Sequence, residues 1–455
     1  MLKLGPEREA PGDSNMTTST LSRFSRWREE YQKKLVSADA AVDHIKSGDR
    51  IYIQSNAACP IPLVEALTRR APELKNVEIF HILTMGPAKY TRPEYADSFK
   101  VHALFIGQNV REAVNEGRGD YTPLFLSEIP GMFESGKLPL DVAFIQVSPP
   151  DEHGYMSYGV SVDCTIAARK KARLVIAEVN RQMPRTLGRS FVHADRIDYI
   201  VETDRPIPEH CPKPLDDVSM AIGRNVATLV EDGATLQLGI GSIPDAVLQN
   251  LMDKKELGIH TEMFSDGVVD LVEAGVITCT RKTVLPGKIA VSFVMGSRKL
   301  YDFVDNNPLI EFQTTDFIND PFIISQNYKM TAINSALQVD LSGQVCSDSV
   351  GIKLYSGFGG QVDFIRGAAR SKGGKPIIAI PSTARDGEVS RIVTHLSKGS
   401  GVVTSRGDVH YIVTEYGIAN LHGKNLKDRA AALISIAHPK FREQLQKECD
   451  SVPWL

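Results

Sequence analysis

Along most of its length the chain alternates short apolar runs with amphipathic segments, separated by turns rich in Gly, Asn and Asp. This alternation predicts an α/β architecture with mostly parallel sheets. Trp27-Arg28-Glu29-Glu30-Tyr31 reads as a first helix, and Ser37 can cap a second that runs to about Lys46 and stops at Gly48. Arg50 to Gln54 alternates as a strand into the polar loop Ser55-Asn56-Ala57-Ala58-Cys59-Pro60. A helix then opens near Pro62, with Leu63, Val64 and Leu67 on one face. The second half repeats this order: a helix through Ile222 to Val230, a turn at Asp232-Gly233, and a strand from Ala234 to Leu238. A glycine turn, Gly239-Ile240-Gly241-Ser242-Ile243, follows, and a helix opening at Pro244 carries Val247, Leu248 and Leu251. Two similar open α/β domains are therefore expected. Thr203 to Pro214 (TDRPIPEHCPKP) has the composition of a linker. The expected division is a loose tail over 1–16, one domain over 17–211 and a second over 212–455.

Composition narrows the function classes. The 455 residues exceed one ordinary core, while 42% hydrophobic and 24% charged residues suit a soluble globular protein. A net charge of −3 offers no electrostatic basis for binding nucleic acid or an anionic membrane. No apolar stretch reaches the length of a membrane span. The six cysteines are scattered, with no CxxC and no Cys/His cluster, so neither a disulfide framework nor a zinc site is expected. Reduced thiols in a cytoplasmic protein fit that usage. Thr17 to Arg28 weakly mimics a transit peptide, which leaves organelle import open, although Glu29 and Glu30 follow at once.

Candidate chemistry centres on the turn at Gly239. Backbone N–H groups at the carboxyl end of a strand, opening a helix, favour a phosphate, a carboxylate or a developing oxyanion. Glu262 lies twenty-one residues beyond Gly241, a spacing that invites a dinucleotide-binding reading. Pro244 occupies the position where that fingerprint requires its third glycine, so a coenzyme site with a catalytic carboxylate is favoured. With Leu257 to His260 read as a short strand, Glu262 falls at a strand end beside the turn Ser265-Asp266-Gly267. An exposed carboxylate there is ionised at neutral pH and can act as a nucleophile without a general base. A second loop, Ser356-Gly357-Phe358-Gly359-Gly360, can turn successive N–H groups toward one point as an oxyanion nest. Its bland alternative is a flexible turn. His153 in a Pro-rich loop reads more readily as exposed, and Glu415 as a structural strand-end residue. GxSxG is absent.

GIGSIPDAV, GIHTEMFSDGVVDL, SGFGGQVDFIRGA, VSPPDEHGY and TSRGDVHYIVTEYG, in this order of chemistry from about Tyr31 to the C-terminus, resemble the acetyl-CoA hydrolase/transferase family. Within it the resemblance is to 4-hydroxybutyrate and butyrate CoA-transferases. It implies two CoA-transferase-type α/β domains with the active site in the cleft between them, assembled as a homodimer or a dimer of dimers. It also implies a ping-pong transfer of CoA between a short-chain acyl-CoA and a carboxylic acid, through a glutamyl-CoA thioester. The family's nucleophile falls on Glu262, its oxyanion glycine on Gly360, and its CoA-binding turn on Gly239, Ile240, Gly241, Ser242 and Ile243. Further coenzyme contacts fall near Leu337 and on Arg385. Coenzyme A or acyl-CoA enters as substrate, with no permanently bound cofactor and no metal. Gln54, Ser55 and Asn56, equivalent in place to the glycine turn, are expected at the acyl pocket. An acyl-CoA hydrolase using the same glutamate and a non-catalytic binder on the same scaffold are the competing readings.

Overall fold

The computed structural model describes residues 26–211 and 214–455; the tail expected over 1–16 lies outside them. Seven strands build the first sheet: β1 (Arg50–Ile53), β2 (Val77–His81), β3 (Phe99–Ala103), β4 (Gly119–Tyr121), β5 (Val142–Val147), β6 (Leu174–Asn180) and β7 (Tyr199–Thr203). Eight build the second: β8 (Thr235–Leu238), β9 (Gly258–Phe264), β10 (Ile289–Val294), β11 (Ile310–Phe312), β12 (Met330–Ser335), β13 (Lys375–Ala379), β14 (Tyr411–Thr414) and β15 (Gly417–Asn420).

The spatial orders are β4-β3-β2-β1-β5-β6-β7 and β11-β10-β9-β8-β12-β13-β14-β15, so the two halves share one topology. In each, the chain begins on a central strand, winds outward on one side, then returns to wind out on the other. All neighbours pair in parallel except the terminal hairpin β14–β15. β5 and β6 are buried along their whole length, as parallel strands covered on both faces must be. The points where the winding reverses lie at the carboxyl ends of β1 and β8. That is where an open α/β sheet leaves a crevice for ligands.

Local signals set the element ends. Ser37 does cap its helix, accepting from the Ala40 N–H at 3.2 Å, but the helix is only Ala38–Val42. Beyond β8 the helix Ser242–Gln249 starts two residues earlier than Pro244 suggested, because Gly241 takes φ 120°, a conformation open to glycine. The N–H groups of the glycine turn therefore belong to a helix start.

The halves are joined by backbone pairing as well as by side chains. The Val162 N–H donates to Ser292 O at 3.0 Å, and the Val294 N–H to Val160 O at 2.9 Å. Gly188 bridges Phe312. One apolar core runs through this junction, with Tyr158, Val160 and Val162 packed into the same cluster as Val291, Val294 and Phe312. The Pro-rich segment after β7 carries no helix or strand among its described residues and is tied to both halves. Arg205 forks onto the fully buried Glu178 at 2.6 and 2.9 Å, while the Tyr301 hydroxyl donates to Pro208 O at 2.7 Å.

Breaking that buried pair leaves a desolvated charge without a partner. Arg205→Ala is expected to destabilise the protein by about 3–5 kcal/mol, read from urea unfolding midpoints.

Candidate active site

Glu262 sits inside β9, two residues before its end, not in the loop beyond a shorter strand. The pairings Thr261↔Val291 and Met263↔Phe293 bracket it, so its side chain is aimed by a parallel sheet held on both sides of the position. His260, two residues earlier on the same face, is fully buried and bonds Ile318 O at 2.9 Å. Burial and the Lys282 charge hold its pKa down at about 3, so it is a neutral strut. The turn it braces carries Asn319, whose Nδ2 donates to Glu262 Oε2 at 3.0 Å. Asn319 is fully buried, and its Oδ1 has no partner among the described residues.

The second favourable neighbour comes from the glycine loop. Gly360 is the N-cap of the helix Gln361–Arg370, and its backbone lies beside the Glu262 carboxylate, where it favours the ionised form. A Cβ on Gly360 would lie on top of both Asn319 Nδ2 and Glu262 Oε2, so the approach requires glycine. Gly359 has φ 51° and faces Glu262 Oε1, a Cβ there being 3.9 Å away. The structure thus brings Glu262 and Gly360 together, and adds Asn319.

The carboxylate is not the exposed, freely ionised group that the sequence suggested. Glu262 is half-buried among packed groups, and loss of water pushes its pKa up to about 7. The Asn319 amide and the Gly360 backbone oppose that rise, while the charge of Asp163 adds to it. Asp163 is fully buried and accepts from Ser161 Oγ at 2.6 Å, Thr165 Oγ1 at 3.0 Å and the Thr165 N–H at 3.1 Å. Asp363, in the first turn after Gly360, also rises to about 7, through burial first and the Glu262 charge among the lesser causes. Its oxygens accept from the Ser127 hydroxyl at 3.0 Å and the Ser127 N–H at 3.3 Å.

Gly239 and Gly241 flank an open space: a Cβ built on either meets nothing within 4 Å. Ser242 is exposed, Ile243 buried, and Ile240 half-buried against a cluster formed by Met263, Phe293, Met295, Leu83 and Met85. That cluster draws on both halves. Leu337 spends its N–H on Cys346 O at 2.8 Å, so only its carbonyl and side chain can face a ligand. Arg385 is exposed, with φ 50°, in the turn between Thr383–Ala384 and Val389–Ser390.

Gln54, Ser55 and Asn56 are buried. The Gln54 amide bonds Tyr158 O, Ser161 O and the Gln146 N–H, which leaves its carboxamide engaged inside the protein. Asn56 exchanges backbone bonds with Leu83 and Met85, so its contribution is to carry those two side chains to that cluster. His153 is exposed, and Glu415 accepts from Ser382, both in keeping with their structural readings. Among the described residues no helix is long and apolar enough to cross a membrane, and no group of three or more His, Cys, Asp or Glu is placed to hold a metal.

Two family models match the chain: the acetyl-CoA hydrolase/transferase N-terminal domain over residues 18–209 and the C-terminal domain over 296–449. The chain belongs to the acetyl-CoA hydrolase/transferase family. It is 56% identical to the 4-hydroxybutyrate coenzyme A transferase of Clostridium kluyveri, over 93% of this chain and 98% of that protein. It is 49% identical to a succinyl-CoA:acetate/propanoyl-CoA:succinate CoA transferase of Fasciola hepatica, over 93% and 88%. The crystal structure of a 4-hydroxybutyrate CoA-transferase from Porphyromonas gingivalis superposes with a TM-score of 0.81 at 44% identity, covering 93% of this chain and 99% of that one.

A methyl group at position 360 displaces two of the three groups that meet there. Gly360→Ala is expected to lower acyl-CoA turnover about 100-fold or more with an unchanged circular dichroism spectrum.

Proposed function

We propose that this family member transfers CoA between a short-chain acyl-CoA and a carboxylic acid, with 4-hydroxybutyrate or butyrate exchanged against acetyl-CoA and acetate. The observation that carries the reading is the Glu262 carboxylate, desolvated and faced by the Asn319 amide and the Gly360 backbone. Burial makes this carboxylate more basic than a surface glutamate, which suits attack on a thioester carbonyl.

That geometry supports the following steps. Glu262 attacks the acyl-CoA carbonyl, the C–S bond breaks, and a mixed anhydride and CoA thiolate form. The thiolate then attacks the glutamyl Cδ, releasing the first acid as its carboxylate and leaving a glutamyl-CoA thioester. A second acid reverses both steps. During attack on Cδ, negative charge grows on a glutamyl oxygen. Asn319 Nδ2 already faces one such oxygen and the Gly360 backbone lies beside the carboxylate, so they stabilise that charge with little reorganisation. The turn Gly239–Ile243 is assigned to the coenzyme, and the Met263, Phe293, Met295 and Met85 surface to the apolar part of the acyl chain. Arg385 is the proposed cationic contact to CoA, and a homodimer or dimer of dimers the proposed assembly.

Glu262→Ala is expected to abolish CoA transfer and to yield no hydroxylamine-trappable adduct with acyl-CoA; undiminished transfer would overturn the nucleophile assignment. The assay runs across short acids beside a control without acceptor, where turnover equal to that with acceptor would assign the protein as a hydrolase.

The protonated form of Glu262 cannot attack, and its pKa in the free enzyme is raised to about 7. Transfer efficiency, kcat/KM for acyl-CoA, should therefore rise with pH through about 7 and level off above it. Asn319→Ala removes a donor that favours the ionised form, so the midpoint should move to higher pH.

A further inference from the structure

The loop that delivers Gly360 is fastened along its length to the other half of the molecule. At its outer end, Leu354 of the hairpin Ser349–Val350/Lys353–Leu354 exchanges both backbone bonds with the Asn115 carboxamide. Asn115 Nδ2 donates to Leu354 O at 2.8 Å, and the Leu354 N–H donates to Asn115 Oδ1 at 3.0 Å. One turn earlier on the same helix, Arg111 Nε donates to Tyr355 O at 2.7 Å, with its guanidinium 3.9 Å from the centre of the Tyr355 ring. Farther in, the buried Gly357 lies against Tyr121 and Phe105, where a Cβ would stand 3.0 and 3.2 Å from them. The Phe358 ring is 5.6 Å from that of Phe125. At the inner end, the Leu126 N–H donates to Gly359 O at 3.2 Å, and Ser127 grips the buried Asp363 through its hydroxyl and its N–H.

Residues 354–363 thus form a seam, closed from the first half by Arg111, Asn115, Leu126 and Ser127. Gly359 lies close to both Phe105 and Glu262, a Cβ there standing 3.5 Å from Phe105 and 3.9 Å from Glu262 Oε1. The two sheets are joined independently at Ser161–Phe293 and Gly188–Phe312, so the seam is not needed to keep the halves together. Its position over the nucleophile suits a different task.

We propose that the seam excludes water from the Glu262 thioester, and that Asn115, Arg111 and Ser127 are positioning residues that set the ratio of transfer to hydrolysis. The inference rests on the glutamyl-thioester reading. In the competing reaction a water oxygen attacks the glutamyl Cδ, the C–S bond breaks, and CoA leaves as a thiolate. Glu262 returns as a carboxylate and the protons from water pass to solvent and thiolate. Nothing else is consumed, so at a given acceptor concentration the access of water shifts the partition.

The test uses the full chain carrying Ser127→Ala or Asn115→Ala, with Ser127→Thr as the conservative control. Three quantities are read: hydrolysis without acceptor, transfer to acetate, and the lifetime of the covalent adduct by intact mass after loading with acetyl-CoA. Each alanine variant should raise the hydrolysis-to-transfer ratio about fivefold or more, the scale of one lost hydrogen bond, and shorten the adduct lifetime correspondingly. KM for acetyl-CoA should hold, and Ser127→Thr should restore the wild-type ratio. An unchanged ratio and lifetime in a folded variant overturns the proposal, as does a proportionate fall of both activities. Should Ser127→Ala not fold, Asn115→Ala, on the exposed rim, decides alone. If the wild-type protein forms no adduct, the thioester reading itself fails; an adduct whose lifetime ignores the seam sinks only this inference.

Discussion

A carboxylate withdrawn from water must be given donors or it will take up a proton, and the site is built around that constraint. Glu262 is favoured in its ionised form by groups from two elements, the Asn319 amide and the Gly360 backbone. Each needs its own support. Asn319 follows a short helical turn whose Ile318 carbonyl is pinned by His260, on the same strand face as Glu262. Gly360 caps a helix packed on the adjacent parallel strands, and its lack of a Cβ is what lets three groups meet. Even with both groups, burial prevails and the carboxyl titrates near neutrality. The group is held at the edge of ionisation, where a modest change in its surroundings alters its charge.

The topology explains why this point and not another carries the site. In the second sheet the winding reverses at β8, so the loops after β8 and its other neighbour β12 diverge and leave a crevice that the glycine turn borders. The first sheet repeats the arrangement at β1, but its loop is filled: Gln54 and Asn56 bond into the Tyr158–Ser161 segment that pairs with β10. One switch point is thus open to ligand and the other is used to join the halves. The same design, repeated, has taken two roles.

The architecture was legible in the sequence because hydrophobic runs and turn residues act locally. The strand before Gly239, the cap at Ser37 and the shared order of elements all follow from neighbours within a few residues. Glu262 and Gly360 could be singled out because each sits in a distinctive local setting and a family resemblance placed them together. Asn319, Asp163 and Ser127 could not. Each acquires its place through contacts 57, 111 or 236 residues away in sequence, and an isolated Asn, Asp or Ser carries no pattern of its own. The Gln54 loop shows the same limit: equivalence of position in the repeat says nothing of whether a loop faces the cleft. The state of Glu262 was misjudged too, since exposure is a property of everything packed around a residue.

The acids around Glu262 make chemical sense on the proposed reaction. A second and a third carboxylate beside Glu262 look unhelpful, since Asp163 acts against its ionisation and Glu262 in turn acts against that of Asp363. Yet conversion of Glu262 to a thioester removes its negative charge, and with it the repulsion. The neighbours that raise the energy of the free carboxylate thus leave the covalent intermediate untouched, which shifts the balance toward the intermediate. Neither acid is idle structurally. Asp163 organises the segment that pairs with β10, and Asp363 anchors the glycine loop to Ser127. On the proposed reaction, charge and anchorage are therefore coupled in one device, in which the groups that join the halves also bias Glu262 toward bond formation.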